Sequence, residues 1–180
     1  MSTTTRSAPA TNPRAATVVA ASLWYGLRPS WQVAVEAAAR REHGAALRLL
    51  IQPDRIIYRM PVEVPGRRQP VLTLIVFHRW PPYPCWGLSP EEYPRVFAAP
   101  SEFSPHRMPD DGALCLYYPL APPHERWRPV DGLLALVDLA RNHVFLEDHW
   151  RATGGYSGGE WLGPEQPHGT EVSTRVKSRA

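Results

Sequence analysis

Cysteine and lysine are both scarce in this chain of 180 residues. The two cysteines, Cys85 and Cys115, are too few for a four-thiolate metal site or a disulfide scaffold. Lys177 is the single lysine, so arginine provides nearly all of the positive charge, and the formal net charge is only +3. Because the basic residues are scattered along the chain, the sequence predicts no nucleic-acid-binding surface.

Long apolar runs are also missing. No stretch approaches the ~20 residues that span a bilayer, and the first residues lack the apolar segment of a secretory signal. We therefore expect a cytoplasmic protein without a membrane partner, with both thiols free in the reducing cytosol. The histidines show no metal-ligand spacing, since His143 and His149 fall on different faces of one predicted helix. We expect no metal and no cofactor.

Proline, in contrast, is abundant. The chain contains 21 prolines, well above the average of roughly 5%, so many connections should be extended or irregular. A chain of this length is typical of one domain. We expect that domain at residues 17–169, with a disordered tail at 1–16 and a flexible tail at 170–180, both too polar to bury a core.

Two helices are predicted, one at each end of the ordered part. The first follows Ser30, a good N-cap, and stops at Gly44. The second follows Asp131 as its cap and runs to about Trp150. Its apolar stripe at helical spacing consists of Leu133, Leu136, Val137, Ala140, Val144 and Phe145, while Asp138, Arg141, Asn142 and His143 lie off that stripe.

Between the helices, three runs predict strands. The run at 55–64 is rich in branched residues, and Pro61 restricts its second half to an edge or a bulge. Val71–His78 is nearly continuously apolar and should be a central strand buried on both faces. Residues 93–98 form a shorter candidate, and residues 45–51 fit either a strand or a helix. This order of elements predicts an α+β domain with a mainly antiparallel sheet.

The segment HRMPDDGALCL, residues 106–116, contains the side chain best suited to chemistry. Cys115 follows a polar turn, with Gly112 three residues before it. The pattern predicts a thiol at the edge of the core, in an irregular segment that a large partner can reach. A free cysteine is also typical of a buried core position, and that interpretation stays open for Cys115. For Cys85, between proline and tryptophan, we favour packing.

Two kinds of cysteine chemistry fit this segment. His106 and His124 bracket Cys115, so a Cys-His hydrolase is one hypothesis, although no protease signature surrounds the thiol. A cysteine that exchanges thioesters needs only modest activation, because it must be both acceptor and leaving group. Carboxylates at Asp110 and Asp111 would raise the pKa of the thiol and favour this second role.

The sequence resembles ubiquitin-conjugating (E2) enzymes over about residues 31–149. GALCL, ending at Leu116, resembles the active-cysteine segment of that family. Trp127-Arg128-Pro129 is similar to its tryptophan-x-proline before a helix, and the YPRVF stretch at 93–97 follows the same order of elements. WRATG at 150–154 and GEWLG at 159–163 resemble bacterial E2-like proteins of short type II CBASS antiphage operons.

This resemblance implies a UBC-like fold with an N-terminal helix, a small antiparallel sheet, an active-cysteine loop and a long C-terminal helix. Cys115 would carry the C-terminus of a cGAS-like nucleotidyltransferase as a thioester. Since the chain contains no adenylating domain, activation of this partner would come from elsewhere or would not use ATP. The asparagine that supports the oxyanion in the family is absent, so His106 or a backbone N–H would assist. A non-catalytic E2-variant binding module and a Cys-His hydrolase remain the alternatives.

Overall fold

A computed structural model describes residues 23–99 and 104–164 of the chain. The tails predicted at 1–16 and 170–180 lie outside these ranges. Within them, two α-helices flank four β-strands along the chain, and the α+β prediction with an antiparallel sheet is confirmed. The helices and strands are α1 (Pro29–His43), β1 (Arg48–Ile51), β2 (Arg55–Val62), β3 (Val71–His78), β4 (Arg95–Ala98) and α2 (Gly132–Ala152).

Helix α1 begins earlier than predicted. Arg28 occupies the cap position without a side-chain cap, and Pro29 is the first helical residue. Proline suits the first turn because its φ is already helical and its missing N–H would have no partner there. The prediction of Ser30 as the N-cap is therefore wrong. Gly44 ends the helix as predicted, with a φ of 50° that other residues rarely adopt.

The strands form an antiparallel meander in the order β1-β2-β3-β4. β3 lies between β2 and β4 and is the central strand, as predicted. Its burial on both faces is confirmed only for residues 75–78. Leu72 is 40% exposed, because its side chain lies on the face of the sheet opposite to that of buried Val71 and Thr73.

Strand β1 settles the ambiguous stretch at 45–51. Gly44–Ala46 form a 3-10 turn, and the edge strand follows it. β1 pairs with β2 only between Ile56 and Arg59, so Pro61 has no strand on that side and needs no hydrogen bond there. The prediction of a local edge at Pro61 is confirmed. β4 is shorter than predicted and begins at Arg95.

One apolar core joins the sheet to both helices. The sheet contributes side chains that alternate along each strand, as a period of two requires, and the largest are Ile56, Tyr58, Met60, Ile75 and Phe77. α2 contributes all of its predicted stripe except Phe145, which is 39% exposed. Its second half also buries two polar residues, His143 and Glu147. Placing His143 outside the buried face was wrong.

The start of α2 also differs from the prediction. Asp131 stands at the cap position, but its carboxylate accepts the Arg128 N–H at 2.8 Å and pairs with the Arg128 guanidinium. It therefore stabilises the preceding turn and makes no side-chain cap to α2. The helix continues past the predicted end to Ala152. Neither helix in the described ranges is long and apolar enough to cross a bilayer.

Candidate active site around Cys115

Cys115 lies on the returning arm of a tight hairpin, residues 106–115, which we call the cysteine hairpin. Met108 N–H donates to the Ala113 carbonyl at 2.7 Å, and Cys115 N–H donates to the His106 carbonyl at 2.9 Å. Gly112 turns the chain with a φ of 73°, a conformation that favours glycine. The structure thus brings the two predicted site residues, His106 and Cys115, side by side through their main chains.

The cysteine hairpin is attached to the edge of the sheet. Leu114 N–H donates to the Val96 carbonyl of β4 at 2.7 Å, and both side chains enter the core. Since side chains alternate along extended backbone, Cys115 points to the opposite side from Leu114. That is the side of β4 on which Arg95 stands, next to core-facing Val96.

The thiol lies at the edge of the core, as predicted, but only 8% of Cys115 is exposed. Its Sγ is 3.5 Å from Met108 Sδ. Burial is the main cause that raises the pKa of the thiol to about 12; Arg95 acts to lower it and Asp111 to raise it. The predicted effect of Asp111 is therefore present, whereas Asp110 is exposed at the turn. At neutral pH the thiol is protonated.

Arg95 is a buried cation beside the cysteine hairpin. Its guanidinium lies 3.7 Å from the ring centroid of Tyr83 and 5.2 Å from that of Tyr93. Its Nε is 3.0 Å from Asp111 Oδ2, and Asp111 Oδ1 accepts the Ala113 N–H at 3.0 Å. This ion pair ties the turn of the hairpin to β4. Arg95 was not predicted as a site residue, since nothing in the sequence indicates its partner.

Arg107, inside the cysteine hairpin, is held by Glu147 of α2. Nε and Nη2 each donate to one carboxylate oxygen at 2.8 Å, and the Ser104 hydroxyl donates at 2.5 Å. Burial acts to raise the pKa of the Glu147 carboxyl, but interactions with Arg107, His143 and Ser104 outweigh it and hold that pKa well below its usual range. Glu147 is therefore charged, and the pair fixes the hairpin to the helix.

His106 is covered by the chain that follows α2. Glu160 N–H donates to Thr153 Oγ1 at 2.8 Å, so this segment turns back along the helix. The ring of Trp161 then stacks on the imidazole of His106, with centroids 3.8 Å apart, and meets His143 edge-on at 5.5 Å. His106 is buried as a result. The sequence contained Trp161 in the GEWLG stretch but no sign of this contact.

A cleft of about 470 Å³ opens next to the cysteine hairpin. Leu116 and Tyr117, which directly follow the cysteine, form one wall, and Ala135 and Leu139 of α2 belong to the other. His124 also lines the cleft, with 78% of its side chain exposed and its Nε2 3.4 Å from a Glu125 oxygen. Its exposure does not favour His124 as the base for a buried thiol.

Trp127 closes the inner end of this cleft. Its indole is buried against Phe77 at 5.9 Å, and Nε1 donates to the Gly132 carbonyl at 2.8 Å. Trp127 thus forms a wall between the core and the start of α2. In residues 23–99 and 104–164, no group of three or more His, Cys, Asp or Glu is arranged to bind a metal.

Comparison with known proteins identifies no relative. No protein-family model matches the chain, and searches of curated proteins and of solved structures give no match.

Proposed function

We propose that this chain is an E2-like thioester carrier with a UBC-like fold, which accepts the C-terminus of a cGAS-like nucleotidyltransferase on Cys115 in antiphage defence. The observation that carries the proposal is the placement of Cys115 in a hairpin bonded to the sheet edge, between His106 and a cleft along α2. The order of a helix, an antiparallel sheet, the cysteine hairpin and a second helix supports the fold.

The transfer step requires an activated acyl donor from another protein, either a thioester or an acyl adenylate. A base removes the proton from Cys115 Sγ, the sulfur bonds to the carbonyl carbon, and the donor thiolate or AMP leaves. A more basic thiolate is a poorer leaving group. Because burial raises the pKa of Cys115, the acyl group passes favourably from a less basic thiol to Cys115 and is retained there.

The cleft provides room for the residues that precede the acyl carbon. Its volume of about 470 Å³ is in the range of small-ligand sites, roughly 300–1,000 Å³. Leu116, Ala135 and Leu139 offer apolar contacts, while His124 and Asp138 place polar groups around them. A short extended peptide, with alternating side chains and polar main chain, suits such a surface.

Two backbone N–H groups near the thiol are already used by the fold. Leu114 N–H donates to the Val96 carbonyl and Cys115 N–H to the His106 carbonyl. A tetrahedral intermediate needs donors aimed at its oxygen. Neither of these two N–H groups can donate to that oxygen without breaking a hydrogen bond of the hairpin or of its attachment to β4. A side chain is therefore the better donor to the intermediate.

The test is co-expression with the cGAS-like nucleotidyltransferase, followed by gels with and without thiol reductant. We expect an adduct that reductant removes and that Cys115→Ala abolishes. Cys85→Ala is the matched control and should retain the adduct. Cys115→Ser should give an oxygen ester that resists reductant and is cleaved by alkali. An adduct that persists in Cys115→Ala would contradict the proposal.

The burial of Cys115 favours a second candidate, a non-catalytic E2-variant module that only binds the nucleotidyltransferase. In that case wild type and Cys115→Ala would copurify with the partner equally, and no gel would contain an adduct. The exposure of His124 and the stacking of His106 on Trp161 disfavour the Cys-His hydrolase, which needs a histidine base at the thiol. Cleavage of an existing conjugate that depends on Cys115 would reverse that preference.

A further inference from the structure

Loading of Cys115 requires negative charge on a sulfur that the fold buries. Thiolates in reactive cysteines are stabilised by a nearby cation or a helix N-terminus. We propose that the guanidinium of Arg95 stabilises negative charge at Cys115 Sγ, and that the carboxylate of Asp111 partly offsets this effect. The inference rests on the proposed carrier function and names a group in the chain that stabilises the reacting sulfur.

The backbone geometry places Arg95 and Cys115 on the same side of the sheet edge. Leu114 is bonded to Val96 and both face the core. Cys115, which follows Leu114, and Arg95, which precedes Val96, therefore face the other way. A small cavity of about 10 Å³ at this edge is lined by residues of β4 and of the cysteine hairpin, among them Arg95 and Met108. Cys115 does not line it directly, but its Sγ is 3.5 Å from the Met108 sulfur. This volume admits about one water molecule.

A charge in so dry a site acts strongly, because little solvent screens it. Arg95 has 6% of its side chain exposed, and Tyr83 and Tyr93 contact its guanidinium. Its ion pair with Asp111 engages Nε, whereas a guanidinium has five N–H donors. The side chain is therefore held in one place by three contacts, next to the cysteine hairpin.

The direction in which each nearby charge shifts the pKa of the thiol agrees with this role of Arg95. Arg95 lowers the pKa of Cys115 and also that of Cys85, whereas Asp111 raises the pKa of Cys115. The titratable groups that face the thiol are Arg95 from β4, Asp111 and His106 from the cysteine hairpin, and Tyr93. Burial raises the pKa of Tyr93, so its ring stays neutral at working pH.

The experiment measures alkylation of Cys115 by iodoacetamide from pH 7.5 to 10.5, in a Cys85→Ser background so that one thiol reacts. The thiolate displaces iodide, so the rate follows the thiolate population. At a fixed pH, Arg95→Met should react roughly tenfold more slowly, the effect of one pKa unit from a lost opposite charge. Arg95→Lys should keep most of the rate, because it keeps the charge. Asp111→Asn should react faster than the parent.

Equal rates for Arg95→Met and the parent, or equally slow rates for the lysine and methionine variants, would overturn the inference. If Arg95→Met does not fold, Asp111→Asn decides, and a rate unchanged by that substitution would also overturn it. The alkylation needs no partner protein. If the alkylation rates follow the predicted pattern but no adduct forms with the nucleotidyltransferase, only the carrier function is rejected. If a folded Arg95→Met forms the adduct normally, only the role of Arg95 is rejected.

Discussion

The imidazole of His106 lies face to face with the indole of Trp161, with ring centroids 3.8 Å apart and planes inclined by 17°. The His106 carbonyl accepts the N–H of Cys115 at 2.9 Å. Trp161 therefore contacts the residue that is hydrogen-bonded to the cysteine. Through it, the chain that follows α2 is joined to the cysteine hairpin, although the two are far apart in sequence.

Replacing Trp161 by alanine should weaken the cysteine hairpin. The loss of the ring stack and of its apolar contact should lower the free energy of unfolding by about 2 kcal/mol, and Trp161→Phe should recover part of it. Urea denaturation measures this change. Hydrogen exchange should also be faster at the Cys115 amide in Trp161→Ala, because the carbonyl that accepts it loses its support.

The matched control for Trp161→Ala is Trp80→Ala. Trp80 is 67% exposed, so its removal should change the free energy of unfolding by less than about 0.5 kcal/mol. If the two alanine variants show the same loss in free energy of unfolding and the same hydrogen-exchange rate at the Cys115 amide, the stack does not stabilise the hairpin.

Removing one partner of the Arg107–Glu147 pair should be severely destabilising. Arg107→Met leaves a buried carboxylate without its two-pronged partner, a change that typically costs about 3–5 kcal/mol. The double variant Arg107→Met, Glu147→Leu should recover much of this loss, because no charge is then buried alone. Thermal or urea unfolding of the wild type, both single variants and the double variant measures the coupling.

A surface ion pair provides the comparison for that series. Arg141 and Asp138 of α2 lie 2.9 Å apart and are partly exposed, so Arg141→Met should cost about 1 kcal/mol or less. A loss of similar size in Arg107→Met would show that the buried pair contributes no more than an exposed one.

Stability should fall in acid because of Glu147. Its pKa is lower in the folded protein than in the unfolded chain, so its charged form stabilises the fold above the unfolded value of about 4.3. That contribution is lost as the pH falls from there toward the folded pKa, where both states bind the proton. Unfolding measured from pH 7 to 2.5 should therefore show a smaller acid slope in Glu147→Gln. Parallel profiles for the two proteins would contradict this assignment.

The two thiols should react with a small alkylating reagent in a fixed order. Cys85 is partly exposed and Cys115 is buried with a pKa raised to about 12. At pH 8 we expect Cys85 to be modified at least ten times faster, because thiolate population and access both limit Cys115. Peptide mass spectrometry at timed intervals measures the order, and in urea the two rates should converge. Faster modification of Cys115 in the native protein would contradict the burial of its thiol.

Local patterns were enough to predict both helices, three of the four strands and the turn before Cys115. The apolar stripe of α2, the alternation in β2 and the glycine at position 112 each state a backbone preference within a few residues. The edge position of Pro61 follows from its missing N–H. Where such preferences conflict, prediction fails: Pro29 starts α1 ahead of Ser30, because proline fits the first helical position.

The interior of the candidate site depends on pairs that are distant in sequence. His143 is buried next to the ion pair of Glu147, on its own helix, with Arg107 of the cysteine hairpin. The residues around His143 in the sequence do not indicate this polar environment. The contact between Arg95 and Asp111 likewise requires β4 and the hairpin turn to be in register. Composition and periodicity do not encode such pairs, since each forms only after the sheet has closed.

The burial of the Arg107–Glu147 ion pair constrains which substitutions this protein can accept during evolution. Loss of either residue leaves the charge of the other buried without a partner. An evolutionary intermediate with only one of the two replacements is therefore selected against. Related chains should therefore keep both residues or replace both together, most readily by apolar residues of similar volume. Positions 107 and 147 would then covary across any set of homologues, and the hairpin that holds the cysteine would diverge only in step with the helix behind it.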